Sequence, residues 1–214
     1  MPELASAPYV IKICGLTSLD DARMVCESGA TALGLILTQS RRQVSVERAA
    51  DIAQFAKGQL LRVGVVRDVD VSIASVLEEV ELDAVQVHGP LDEALLELFR
   101  GSRLNVIKAL AIGTQEFETF DETSVDAILV DGPTPGSGES HSWDELRERP
   151  FQRPVIAAGG LNPANVADVI QTLGVWGVDV ATGVESSPGV KDLSRVLQFV
   201  REAVRCLDQG GLRP

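Results

Sequence analysis

The hydrophobic positions of this chain alternate between two rhythms. Short, mostly apolar runs near Val10–Ile13, Ala32–Leu37, Leu61–Val66, Ala84–Val87, Val106–Ala109, Ala127–Val130, Val155–Ala158 and Gly177–Val180 read as strands buried on both faces. Between them the spacing becomes helical, as in Val46, Ala49, Ala50, Ile52 and Ala53, or Ile73, Val76, Leu77 and Val80. The last helix is the clearest, with Leu193, Val196, Leu197, Val200, Ala203 and Val204 keeping one face apolar. Strand then helix, eight times over in 214 residues, predicts an α/β fold of the (β/α)8 barrel type. A doubly wound open sheet is the rival, but it uses fewer strands. We expect a single domain over 1–214 with its core at about 10–206, a short N-terminal extension and a frayed tail at Gly210–Pro214. The Pro/Gly/Ser-rich stretch Gly132–Ser142 lies inside the chain and reads as a long loop after the sixth strand.

In such a barrel all strand C-termini open onto one face, and the loops that follow build the site there. Three strands end on residues with chemistry. Cys14 closes VIKIC before Gly15, Asp131 follows AILV, and Gly159–Gly160 follow PVIAA. Cys14 is either a small buried apolar residue or a thiolate base at the barrel mouth. Asp131 is either a turn cap or a partly desolvated carboxylic acid with a raised pKa. The segment AAGGLNPANV reads as a diglycine turn with Asn162 as helix N-cap and Pro163 in the first turn, a cradle for an anion. VDVATGVE repeats the idea after the eighth strand, where Asp179, Ala181, Thr182 and Gly183 stand. Arg41–Arg42 follow the second strand, either as a solvated pair or as a clamp for a carboxylate. His88 ends the fourth strand without the companions a metal site needs. Ser18 and Asp21 form a relaxed capping box, whereas Cys26 and Cys206 fall within helices as packing residues.

Composition narrows the classes. Hydrophobic residues make up 45% of the chain and aromatics only 4%, so the core falls to Val, Ile, Leu and Ala. A net charge of −12 argues against a nonspecific nucleic-acid binder. No run is long enough to span a bilayer, and MPELASAPYV lacks the positive and apolar regions of a signal peptide. Three cysteines without zinc or redox spacing suggest the reducing cytoplasm.

Taken together, KICGLTSLDDA, GATALGLIL with SRR, VQVHG, VIKA, VDG with GSGESHSW, AGGLNPANV and VDVATGVE with PGVKD resemble the phosphoribosylanthranilate isomerase family from about Val10 to Val200. The resemblance implies a (β/α)8 barrel of tryptophan biosynthesis. Its reaction is the Amadori rearrangement of N-(5′-phosphoribosyl)anthranilate, with no metal or organic cofactor. It places Cys14 on the family's general base, Asp131 on its general acid and Arg42 on the arginine that holds the anthranilate end. Gly160, Ala181 and Thr182 fall in its phosphate loops, where serine is frequent at the latter two. We expect a phosphorylated small-molecule substrate, contacted also by His88, Gly159, Asp179 and Gly183, no nucleic-acid or membrane partner, and a monomer or homodimer. The chain departs from the family pattern at Arg41, which replaces a proline, and at Pro135, Glu139, His141 and Ser142 in the loop after Asp131. Two alternatives are another phosphosugar barrel enzyme, an epimerase or lyase, and a barrel that binds a phosphorylated ligand without catalysis.

Overall fold

A computed structural model describes Leu4, residues 7–132 and residues 144–210. Eight strands close into a parallel barrel in sequence order: β1 (Val10–Cys14), β2 (Ala32–Ile36), β3 (Leu61–Arg67), β4 (Ala84–His88), β5 (Asn105–Ala111), β6 (Ala127–Asp131), β7 (Val155–Ala158) and β8 (Gly177–Val180). Closure comes from β1 pairing with β8, with Lys12 opposite Asp179. Each predicted strand is present within two residues at either end. The alternation of strand side chains then sorts the residues. Ile11, Ile13, Leu33 and Leu35 point outward into the layer shared with the helices. Val10, Ala32, Val63, Ile107, Leu129 and Ile156 fill the interior. Small Ala at several inward positions helps a narrow barrel fill, with Trp176 the one aromatic in the interior cluster among the described residues.

The helices are α1 (Leu19–Glu27), α2 (Val46–Ala56), α3 (Ala74–Val80), α4 (Glu93–Gly101), α5 (Gln115–Thr119), α6 (Asp144–Glu148), α7 (Val166–Leu173) and α8 (Leu193–Gly210). Several start on a side-chain cap. Ser18 accepts from the Asp21 amide while Asp21 accepts from the Ser18 amide, the capping box expected from the sequence. Ser45, Asp92 and Thr114 cap α2, α4 and α5 by accepting from the amides of Arg48, Leu95 and Phe117, without the reciprocal bond. After β8 the chain makes a short hairpin of β9 (Glu185–Ser187) and β10 (Val190–Lys191) before α8.

Two expectations are corrected. Asn162 is not the cap of α7: its side chain closes a turn onto the Ala164 amide, and the helix begins at Val166 after Asn165. Two asparagines flank Pro163–Ala164, and the nearer one is used for the loop. The buried face of α8 is Val196, Phe199, Val200, Ala203, Cys206 and Leu207, whereas Leu193 and Leu197 are exposed at 53% and 43%. The helix is rotated so that the ring of Phe199 reaches the core. Leu4, ahead of the first strand, is 2% exposed and joins Trp176 in the interior cluster.

Candidate active site

The C-terminal ends of the strands gather the reactive groups. Cys14 is the last residue of β1 and only 5% exposed. Two residues before it, Lys12 points the same way into the barrel and is completely buried. Its ammonium donates to Asp179 Oδ1 at 2.9 Å, so β1 and β8 are tied by an ion pair inside the barrel wall. Gly34 on β2 makes this possible. A Cβ there would lie 2.7 Å from Cys14 Sγ and 3.0 Å from Lys12 Cε. Burial alone would push Lys12 down, but the Asp179 carboxylate and the neighbouring thiol outweigh it, and its pKa stands above the ordinary lysine value. Burial pushes the Cys14 thiol up, Lys12 pulls it down and Asp179 pushes it up again, leaving it above the ordinary thiol range.

Asp131 is the last residue of β6 and lines a cavity of about 470 Å³. Its pKa is pushed up to about 6, first by burial and then by the Asp179 carboxylate, against the pull of Lys12 and Arg67. His88, at the end of β4, presents Nδ1 to Asp131 Oδ2 at 3.9 Å. Burial first, then Arg67, Lys12 and Lys108, lower its pKa to about 4, so at neutral pH the ring is uncharged. A neutral ring accepts from only one of two donors, Gln86 Nε2 at 2.9 Å and Arg67 Nη2 at 3.5 Å.

Opposite Asp131, the same cavity is walled by Gly159–Asn162 after β7 and Ala181–Gly183 after β8. Gly159 and Gly160 take φ of +81° and +71°. The chain segments after β6, β7 and β8 interlock by backbone. A Cβ on Gly159 would meet the Gly132 backbone at 2.6 Å, and one on Gly183 would collide with the Leu161 carbonyl oxygen. Part of the diglycine signal therefore serves loop-to-loop contact. Asn165 steadies the turn, accepting from the Asn162 amide at 2.8 Å and donating to the Gly160 carbonyl at 3.1 Å.

Arg42 reaches this rim from the loop after β2. Its Nε and Nη2 donate to the two Glu185 oxygens at 2.7 and 2.8 Å, and Nη2 also reaches Thr182 Oγ1 at 3.2 Å. Lys191 donates to Glu185 Oε1 at 2.9 Å and to the Ala181 carbonyl at 3.2 Å. Burial would raise the Glu185 pKa, but Arg42 and Lys191 hold it below the ordinary carboxylate range. Two cations share one carboxylate, so the rim beside Thr182 carries a net positive charge within an acidic protein. Arg41 is exposed and makes no such contact with a described residue.

The structure thus brings Asp131, Gly159, Gly160, Asp179, Ala181, Thr182 and Gly183 around one cavity. His88 and Arg42 stand at its rim, beside Asp131 and Thr182 respectively. Cys14, two residues beyond Lys12 at the mouth end of β1, is not part of the cavity lining. The atypical loop positions Pro135, Glu139, His141 and Ser142 lie outside the described residues. Sequence reasoning missed Lys12, Glu185, Lys191 and Arg67. A signal existed for the first: VIKIC and VDV each carry one charge in an apolar strand, and closure makes strands one and eight neighbours.

Comparison with known proteins agrees with this geometry. The model of the family described as N-(5′-phosphoribosyl)anthranilate (PRA) isomerase matches residues 11–202. The N-(5′-phosphoribosyl)anthranilate isomerase of Oceanobacillus iheyensis is 35% identical over 201 residues, covering 91% of this chain and 97% of the relative. The crystal structure of phosphoribosyl anthranilate isomerase from Thermotoga maritima is similar with a TM-score of 0.79 at 36% identity, covering 91% of this chain and 98% of that one. A phosphoribosyl anthranilate isomerase solved in complex with reduced 1-(o-carboxyphenylamino)-1-deoxyribulose 5-phosphate gives 0.76 at 34% identity, with coverage of 91% and 98%. A closed eight-stranded barrel, strand-end groups around one cavity and this breadth of likeness agree: the chain belongs to the N-(5′-phosphoribosyl)anthranilate isomerase family.

Proposed function

We propose that Cys14 and Asp131 are the proton-transfer pair of the family reaction in this chain. As a family member it is an aldose–ketose isomerase of tryptophan biosynthesis, converting N-(5′-phosphoribosyl)anthranilate to 1-(2-carboxyphenylamino)-1-deoxyribulose 5-phosphate. Asp131, as the acid, protonates the furanose ring oxygen and the ring opens to a Schiff base. Cys14, as the thiolate, removes the proton from C2′, and the resulting enolamine tautomerises to the ketone. A carboxyl group with a pKa of about 6 is a better proton donor near neutrality than an ordinary aspartate, because more of it remains protonated.

The substrate phosphate is assigned to the backbone of Gly160 and the Ala181–Gly183 loop, and its carboxylate to Arg42. The ligand of the solved relative joins the same two groups, a 5-phosphate and a carboxyphenyl ring. Asp179 is assigned an indirect part, because its carboxylate is already bonded to Lys12. His88 stands next to Asp131 and is positioned to touch the sugar.

One observation carries this reading: Asp131 lines one cavity with both anion loops, while Cys14 ends the strand whose Lys12 is bonded to another lining residue, Asp179. The test is fluorescence-monitored turnover of freshly prepared phosphoribosylanthranilate. Cys14→Ser and Asp131→Asn should each lose about 10²–10⁴-fold in kcat, with circular dichroism and Tm unchanged. A folded variant with wild-type turnover would remove that residue from the mechanism.

A further inference from the structure

We propose that the buried Lys12–Asp179 ion pair is a fixed dipole that sorts protons between the two reacting groups, drawing Cys14 toward the thiolate and holding Asp131 as the acid. The inference rests on the base and acid roles assigned above.

Position carries it. Lys12 and Cys14 share the inward face of β1, and both pass over the bare Cα of Gly34. Asp179 faces Lys12 across the β1–β8 register and lines the cavity beside Asp131. The positive end of the pair therefore lies at the sulfur and the negative end on the side of the acid. A buried ion pair is poor evidence of stabilisation, since apolar replacements often serve a fold equally well. This one sits between the reacting groups, with Lys12 two residues before Cys14 on β1 and Asp179 in the cavity lining with Asp131.

The charges felt by each group fall in the matching order. At Cys14 the strongest charge is Lys12, which outweighs Asp179, and Lys191 acts in the same direction as Lys12. At Asp131 the strongest charge is Asp179, ahead of Lys12 and of Arg67 taken singly. Arg42 faces the sulfur from the loop after β2, and the uncharged His88 faces Asp131 from β4. Lys12 and Asp179 are the two charges that act on both groups, and their order reverses between them.

Thiolate plus carboxylic acid has the same proton count as thiol plus carboxylate, so the pair decides how much of that one-proton state is reactive. The thiolate is read from the ultraviolet absorbance difference between each protein and the same protein carrying Cys14→Ser. The acid is read from the acidic limb of kcat/KM against pH. Lys12→Met should raise the thiol midpoint by about 1–3 pH units and raise the acidic limb. Asp179→Asn should lower both. Each should reduce maximal kcat/KM, roughly tenfold for each unit by which the two groups are driven apart. A purely structural pair predicts lost activity without shifts of opposite sign.

If a stranded charge prevents a single variant from folding, the double variant Lys12→Met/Asp179→Asn leaves neither charge unpaired. It should raise the thiol midpoint and lower the acidic limb. Shifts of the same sign in the singles, or an unmoved thiol midpoint in the double, would overturn the dipole. Predicted midpoints alongside wild-type turnover in Cys14→Ser or Asp131→Asn would instead support the dipole and overturn the roles.

Discussion

Glu185 is bonded to both Arg42 and Lys191, and a single carboxylate cannot neutralise two cations. It takes Nε and Nη2 of Arg42, leaving Nη1 without a bond to any described residue and free to meet an incoming carboxylate. Removing that anchor should therefore act on binding at the carboxylate end. Glu185→Gln should raise KM by roughly tenfold to a hundredfold, the range for losing hydrogen bonds to a charged group, with a smaller effect on kcat. The check is a parallel assay of the aniline analogue, which lacks the carboxylate: its KM should move little. Equal changes for both substrates would mean that Glu185 does not act through Arg42. The proton inventory gives a second residue-scale prediction. The one-proton state forms when the first proton leaves the pair, at the lower apparent pKa, near the 6 of Asp131, and is lost when the thiol ionises above its ordinary range. kcat/KM should thus rise through pH about 6, stay level, and fall only in the alkaline range. A fall beginning near pH 7 would contradict that order.

The elements were legible where one physical rule dominates and obscure where two compete. Parallel strands buried on both faces leave plain apolar runs, so all eight strands were readable. At α7 two asparagines could each start a helix, and the chain spends Asn162 on a turn that shapes the anion loop. On α8 the stripe through Leu193 and Leu197 competes with one through Phe199 and Leu207, and tertiary packing chose the second. The site follows the same division. Cys14, Asp131 and the diglycine were visible because they interrupt apolar runs at strand ends. The Lys12–Asp179 bond spans 167 positions, and the Arg42–Glu185 bond 143, so neither pairing shows until the barrel closes. Loop interlock was likewise invisible, and it yields an element-scale prediction. Gly183→Ala would force the loops after β7 and β8 apart, because the new methyl overlaps Leu161 O and comes within 2.9 Å of Asn162. Overpacking of this kind costs about 1–3 kcal/mol, and it falls on the anion wall. Inhibition by inorganic phosphate should weaken by about tenfold or more, while the thiol titration of Cys14 stays in place. Unchanged phosphate inhibition would show that the wall does not bind the anion.

The molecule as a whole divides its labour between its two ends. Chemistry collects at the C-terminal mouth of the barrel, and the N-terminal end is closed by apolar packing with a few buried polar bonds, among them Arg62 to Asp83. Trp176, just before β8, is 5% exposed and joins Leu4 in the interior cluster, while its indole N–H donates to the Ala7 carbonyl at 3.3 Å. Leu4 and Ala7 are thereby held against the floor. Because strands are rigid and the reactive groups stand at their far ends, damage to the floor should lower stability without moving those groups. Trp176→Ala removes a large buried side chain and should cost roughly 3–5 kcal/mol, lowering Tm by on the order of 10 °C for a chain of this size. Leu4→Ala should act in the same direction by roughly 2–5 kcal/mol. In both variants kcat and KM, measured well below the transition, should match the parent, and the acidic limb of kcat/KM should stay near pH 6. If either variant lost turnover while still fully folded, the floor and the mouth would be coupled, and the Lys12–Asp179 pair that lies between them is where that coupling would run.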